Sequence, residues 1–555
     1  RIEIVRGPGS VLNGPGAVLG VINIVTESVD TFRRDEVTVA GGSPKTFLYN
    51  YRYGTTFHDI SLAGFMQYTY LGGAHLDIPA DAQTVRDQAL APLGVPSSSL
   101  APGQTVDDRK SLDANLMMAY RRLTLTARIK KENGGGDVGL LDVLGTQNRF
   151  ANTQSNVALE YRRELRMGNV RARASFSESR LTELFDVFPP GFTLRSGDAR
   201  VVYPGGVLFQ EQLDSRRVGA EAILDRPLGP RHALTAGASV ERESTFGLDA
   251  LSNFDFERQQ PLTTFGSVPA LVPDAARGVA SLYAQDAWNP TSRLGVTGGL
   301  RFDHYGDVGG SVQPRVAAVY RFPHELTVKA GYGRGVRAPS FLEQFYSSPA
   351  FRANPDLEPV RSDSLDATAL YRHKDVRVAV TGYRTWVRDL ILPDAEGLLP
   401  VGVPPPVFRN LAGVDARGAE VEASLVFKGN RSLALVYSLQ HAEDKATGLR
   451  LAGVPTQLGR LSANFGAGKY VILSPSLTVR GARARSPQDP RPDLGGYSLV
   501  DLVARIHNFN PALELSAVVH DLFGQDYFDP SPLGGLPGDY PRSGRTVLIK
   551  AKYRF

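Results

Sequence analysis

Three stretches of this 555-residue chain mix aromatic rings with guanidinium groups. The first, LFDVFPPGFTLR, carries Phe185, Phe188, Phe192 and Arg195; the second holds Phe254, Phe256 and Arg258, with Phe265 beyond. The third, VRAPSFLEQFY, supplies Arg337, Phe341 and Tyr346. Such sets suit binding: ring faces stack on aryl groups and guanidiniums pair with anions. The competing reading is that these loops pack on one another. Bond-breaking chemistry finds little material. There is no GxSxG elbow, no phosphate-binding loop and no HExxH, and the nine His are scattered. Cys is absent, so thiolate nucleophiles, thiolate metal sites and disulfides are excluded, and an oxidising compartment is suggested. No catalytic residue, metal ligand or cofactor is expected.

The elements that must carry these loops alternate with period two. In RLTLTARIKK, Leu123, Leu125, Ala127 and Ile129 share one face, opposite Thr124, Thr126, Arg128 and Lys130. NVRARASFSES sets Val170, Ala172, Ala174 and Phe176 against Arg171, Arg173, Ser175 and Ser177, and the terminal VLIKAKYRF repeats the pattern. No apolar run reaches the roughly 18 residues of a transmembrane helix. The formal charge of +5 is interleaved, without basic blocks, so no nucleic-acid partner is expected.

A soluble sandwich also alternates. These segments, however, run to about ten residues, the length of a tilted strand crossing a bilayer. Connections alternate strictly between tight and long. Tight ones include 228–231, 289–292, 321–324, 428–431 and 508–511; long ones fall near 71–108, 132–152, 181–210, 244–277, 335–360, 390–412, 442–456, 485–495 and 524–543. The count is about 22 strands, even, with both ends on the tight-turn side, as outer-membrane barrels require. Closure follows because an unpaired sheet edge in hydrocarbon costs several kcal/mol per group. The expected fold is all-β: a transmembrane antiparallel β-barrel whose lumen is too wide for side chains to fill. Trp288, Trp386 and strand-end Tyr residues read as interfacial girdle.

The opening RIEIVRGPGSVLNGPGAVLGVINIVT is glycine-rich, but Gly14, Gly16 and Gly20 have the wrong spacing for a phosphate loop and precede a strand. It resembles the end of the plug domain of TonB-dependent outer-membrane receptors, matching at Glu3, Arg6, Gly7, Pro8, Gly14, Gly20 and Asn23 among others. Asn13 stands where an aromatic is usual, and Leu19-Gly20 replaces a Gly-Gly pair. The far end resembles the family too, through Asp521-Leu-Phe-Gly-Gln-Asp-Tyr527 and Gly544-Arg545-Thr546, with Asp521 replacing Asn and Gly524 replacing Asp. Terminal Phe555 looks like the signal read by the barrel-assembly machinery.

The resemblance implies residues 1–28 as plug remnant, with C-terminal plug sequence only, and 29–555 as barrel with extracellular loops. It implies a Gram-negative outer membrane with its lipid and lipopolysaccharide, coupling to TonB, and import of a ferric siderophore or cobalamin driven by the inner-membrane proton gradient. The coupling segment and most of the plug are expected upstream of Arg1. Haem is disfavoured because the stretch between Pro339 and Asn354 lacks the His of haem receptors, although His75 lies in another long loop. A passive pore or structural barrel without a working plug is the alternative.

Overall fold

The computed structural model describes residues 2–555 except 8, 10, 13, 15, 28, 30–31, 33, 197–198, 256–259, 269–271, 348–351, 395–405 and 412. Twenty-two antiparallel strands among the described residues close into one barrel. The first, Glu36–Ser43, pairs with the last, Thr546–Arg554, from Glu36↔Arg554 to Ser43↔Val547, so no edge is left open. At this seam Glu36 meets Arg554 (3.2 Å), Arg52 (3.6 Å) and Lys552 (3.7 Å).

Alternation sorts the two faces. Leu282, Leu300, Phe302 and Ile549 stand exposed on the outer wall, while Tyr283, Arg301 and Asp303 are buried on the inner one. In the membrane that outer face meets hydrocarbon, and the polar inner face avoids it.

Ten connections on one rim are two to six residues long, from 58–59 to 507–512. Gly429 (φ 75°) and Asn430 (φ 57°) show why: consecutive left-handed residues match the twist of paired strands. The opposite rim carries nine long connections and two short ones, 44–45 and 306–308, so strict alternation of loop lengths fails twice. The tight turn at 306–308 has a use, since it holds Asp307 beside Arg277.

Three strands also outrun the expected ten residues. Gly168–Phe188 and Val207–Pro227 have 21 residues and His232–Asp255 has 24, so parts of the expected loops 181–210 and 244–277 are strand. Inward cross-strand pairs such as Leu181↔Leu213 and Phe185↔Phe209 continue the sheet above the bilayer. The long loops pack over the mouth. Helix Ala82–Leu90 is capped by Asp81, whose buried carboxylate also accepts from the Leu144 amide (2.8 Å) in the 136–148 connection. Ile78, Val138, Leu144 and Leu536, from three different connections, form a shared apolar cluster.

At the N-terminus, Ile2–Arg6 and Gly20–Ile24 make an antiparallel hairpin, registered Ile2↔Ile24 to Arg6↔Gly20. Between them, the described residues Gly7, Val11 and Gly16 lie against the inner wall. Gly16 donates its amide to the Val336 carbonyl (3.2 Å), and Gly7 (φ 71°) sits so close to Ser364 that a Cβ would come 3.1 Å from its Oγ.

Candidate functional site at the loop-lined mouth

The floor of the site is an inward-facing ionic cluster. Arg301 donates to Asp303 (2.8 Å), to Ser281 Oγ (2.8 Å) and to the Val11 carbonyl (3.3 Å), and lies 5.0 Å from the Tyr283 ring centroid. Gln313 completes the shell of Asp303. Arg301 and Asp303 are 2% and 0% exposed, and an ion pair that deeply enclosed depends on the donor that each carboxylate oxygen has, Arg301 for one and Gln313 for the other. Val11 does the covering: it packs with Ile223 and Tyr283 and occupies the space over Gly299, where a Cβ would stand 2.7 Å from Val11 Cγ2.

One level higher, Arg277 draws a long loop inward. Its guanidinium pairs with Asp307 (2.6 Å) and donates to the Pro339 carbonyl (2.9 Å) and Gln344 Oε1 (2.8 Å), with the Phe341 ring 5.0 Å away. Helix Phe341–Phe345 starts there because Ser340 and Glu343 form a capping box. Glu343 also accepts two hydrogen bonds from Arg337 (2.8 and 3.0 Å). Beyond the helix, the Tyr346 hydroxyl donates to Glu211 (3.3 Å).

Glu211 faces Glu183 directly across the register, on the part of these long strands that rises past the roughly ten residues needed to cross a bilayer. Burial, then the neighbouring Glu183 charge, pushes the Glu211 carboxyl up to about 7, and burial raises Glu183 as well. Two carboxylates so placed repel each other, which favours the protonated form.

Above this pair lies an aromatic cluster. Phe188 stacks on Phe192 (4.0 Å between centroids), Tyr203 meets Phe254 edge-on, and Phe192, Tyr203, Phe209 and Phe254 are buried together with Phe185 packed alongside. Arg86 lies 4.8 Å over Phe188. Phe185, Phe188, Phe192 and Phe254 thus share one apolar cluster, in which Tyr203 links Phe192 to Phe254. Arg195 pairs with Arg200 in the hairpin Phe192–Ser196/Ala199–Tyr203, and Phe256 and Arg258 lie outside the described residues. Arg337, Phe341 and Tyr346 converge on the inward-folded helix.

Of the N-terminal motif, Asn23 donates to Glu3 (2.9 Å) across the hairpin. Arg6 pairs with Gly20, where a Cβ would meet the Val5 carbonyl at 2.8 Å. Gly14 takes φ 81°, a left-handed conformation that favours glycine. Pro8 lies outside the described residues. Phe555 is 72% exposed at the far rim, its amide donating to Asp35 O (3.0 Å).

Sequence reasoning missed Arg277, Arg301, Asp303, Glu183 and Glu211. A signal was present for two: Arg301 and Asp303 are the polar alternates of Leu300 and Phe302. Nothing local distinguishes them from the other lumenal charges, and the contact with Val11 spans 290 residues.

A closed barrel of this size, a segment anchored to its inner wall and an elaborate loop-lined mouth are the architecture of an outer-membrane receptor. Residues 104–522 match the family described as TonB dependent receptor-like, beta-barrel, and the chain belongs to it. It is similar to the iron-regulated outer membrane virulence protein of Vibrio cholerae (23% identity, covering 95% of this chain and 76% of that protein). It is also similar to the ferric enterobactin receptor of Pseudomonas aeruginosa (22%, covering 100% and 80%) and to the vitamin B12 transporter BtuB of Photobacterium profundum (22%, covering 100% and 79%). In fold it matches a crystal structure of the P. aeruginosa ferric enterobactin receptor PfeA at TM-score 0.75, with 17% identity over 100% of this chain and 85% of that one. The family is one of transport receptors that work with TonB, and the chain is a Gram-negative outer-membrane barrel.

Proposed function

We propose that this receptor imports a ferric siderophore, bound where the loops meet the N-terminal segment and drawn inward when TonB uses the inner-membrane proton gradient. The carrying observation is the anchorage of Val11 on Arg301 at the base of the mouth, because a segment held by a few polar contacts can be both a seal and a movable part. Relatives named as ferric enterobactin receptors support an iron cargo, and the relative named as a vitamin B12 transporter makes cobalamin the second candidate.

In this reading residues 1–28 are the end of a plug and 29–555 the barrel. Ile2, Ile4, Ile22 and Ile24 support it, for each is 67–69% exposed. Leaving such side chains in water forgoes about 1.5–3 kcal/mol apiece, so this face calls for further plug sheet as its cover. The role is transport without turnover. Phe185, Phe188, Phe192, Arg195, Phe254, Phe256, Arg258, Arg337, Phe341 and Tyr346 remain the ligand-loop candidates. Phe555 is assigned to recognition by the barrel-assembly machinery.

The test is uptake of iron-loaded siderophores by iron-starved cells whose only receptor is this protein, with and without TonB. Uptake that requires both carries the reading; uptake of cobalamin alone moves it to the second cargo. Steady large conductance of the intact protein in planar bilayers, with no uptake, would establish the passive-pore alternative.

A further inference from the structure

The outer wall carries a feature unrelated to cargo. Across the strands Val207–Pro227, His232–Asp255, Ala275–Trp288 and Leu294–Tyr305, small outward residues leave an apolar groove of about 630 Å³. Ala222, Ala236 and Ala284 form its floor, and Leu224, Leu282 and Phe302 its banks. All six face hydrocarbon by the register of these strands.

Higher on the same face the wall changes character. Arg242 lies six residues above Ala236 on one strand, about 20 Å along it at about 3.3 Å per residue. Arg216 stands on the neighbouring strand and Arg180 on the one beyond it, with Lys131 two strands further round. All four are exposed. The level is some ten residues above the short-turn rim, where a tilted strand leaves the hydrocarbon. Arg216 is held there by the rings of Phe246 (4.4 Å) and Phe176 (5.7 Å). Glu178 accepts from both Arg180 and Arg216 (2.8 Å each), and Asp214 pairs in register with Arg180 on the same face. Four cations against two carboxylates leave an excess of two positive charges, and Arg242 has no ionic partner among the described residues.

We propose that this wall is a binding site for an outer-leaflet lipid with a phosphorylated headgroup. An acyl chain fills the alanine-floored groove, and phosphate sits on Arg216 and Arg242 with Arg180 beside them. Neither half suffices alone: the groove would accept any chain, and the cations select an anionic head at the depth where phosphates lie. Guanidinium groups suit the task because they pair with phosphate through two parallel hydrogen bonds. The site rests on outer-membrane placement and is independent of the cargo.

The probe is purified bisphosphorylated lipid A added to the delipidated receptor in neutral detergent, with retention read by native mass spectrometry. Dephosphorylated lipid A and phosphatidylethanolamine serve as comparisons. Folding is checked by heat-modifiable gel mobility. Retention of the bisphosphorylated lipid at least tenfold above the other two is expected, falling at least tenfold in the R180Q/R216Q/R242Q variant and in the groove-filling A284W. R242Q alone, which removes an unpaired exposed side chain and leaves folding intact, is expected to lose several-fold. Equal retention of all three lipids, or undiminished retention by the folded R242Q and triple variants, would overturn the proposal. So would a stable dimer of the chain that shields this wall from every lipid tested.

Discussion

Two arcs of the lumenal wall carry the same kind of sequence and end in opposite environments. On the strands Arg109–Tyr120, Leu123–Gly135 and Arg149–Leu165, inward ion pairs such as Arg128–Asp113 (2.6 Å) and Arg162–Glu160 stay wet, with arginines 48% and 70% exposed. On Ala275–Trp288 and Leu294–Tyr305, Arg277 and Arg301 are 5% and 2% exposed. Both arcs alternate apolar and charged residues with period two. The difference is cover: Val11 lies over Arg301, and the inward helix Phe341–Phe345 lies over Arg277. An open lumenal pair is a surface salt bridge of about 0–1 kcal/mol, whereas removing one partner of an enclosed pair costs about 3–5 kcal/mol.

The sharpest attack on this comparison is Arg301→Ala. It strands Asp303 in an enclosed site and is expected to destabilise by about 3–5 kcal/mol, read as a lower unfolding temperature of the heat-modifiable band. Equal losses in Arg301→Ala and Arg128→Ala would erase the distinction between the arcs. Gly299→Val tests the cover itself. The new side chain takes the space of Val11 Cγ2, an overpacking of about 1–3 kcal/mol, and should free the N-terminal segment for proteolysis while the barrel stays folded. An unchanged cleavage pattern would mean Val11 is not the lid.

The upper cover is expected to respond to pH. Glu211 has its carboxyl raised from 4.5 to about 7, so between those values the folded protein keeps a proton that the unfolded chain has released. That contribution is full below about pH 4.5 and is lost as pH rises through 7. Protease accessibility of the 338–359 connection should therefore rise from pH 5 to pH 8, and Glu211→Gln should flatten the profile. A profile as steep in the variant as in the parent would assign the dependence elsewhere. The smallest effect belongs to the open arc: Arg162→Gln should change stability by under about 1 kcal/mol, and a shift approaching that of Arg301→Ala would show hidden cover there.

Much of the barrel is legible along the chain because its environment alternates residue by residue. Leu282 against Tyr283 and Leu300 against Arg301 announce lipid and lumen, and Lys428-Gly-Asn430 announces a tight hairpin. The candidate site is far less legible. Phe185, Phe188, Phe192 and Phe254 mark a loop cluster, but whether rings face a ligand or one another depends on neighbours from other loops. The tight turn at 306–308 and the long strands around Phe209 escape local reading as well, being decided by Arg277 and by cross-strand packing.

Sequence by itself therefore determined the two-faced strands, their tight turns, the closed sheet and the receptor family, since each follows from short-range periodicity or motif spacing. Tertiary structure alone decided which lumenal charges are enclosed, where the loops fold inward and which carboxyl holds its proton. Burial and electrostatics sum over groups hundreds of residues apart, and a period of two says nothing about what comes to rest above it.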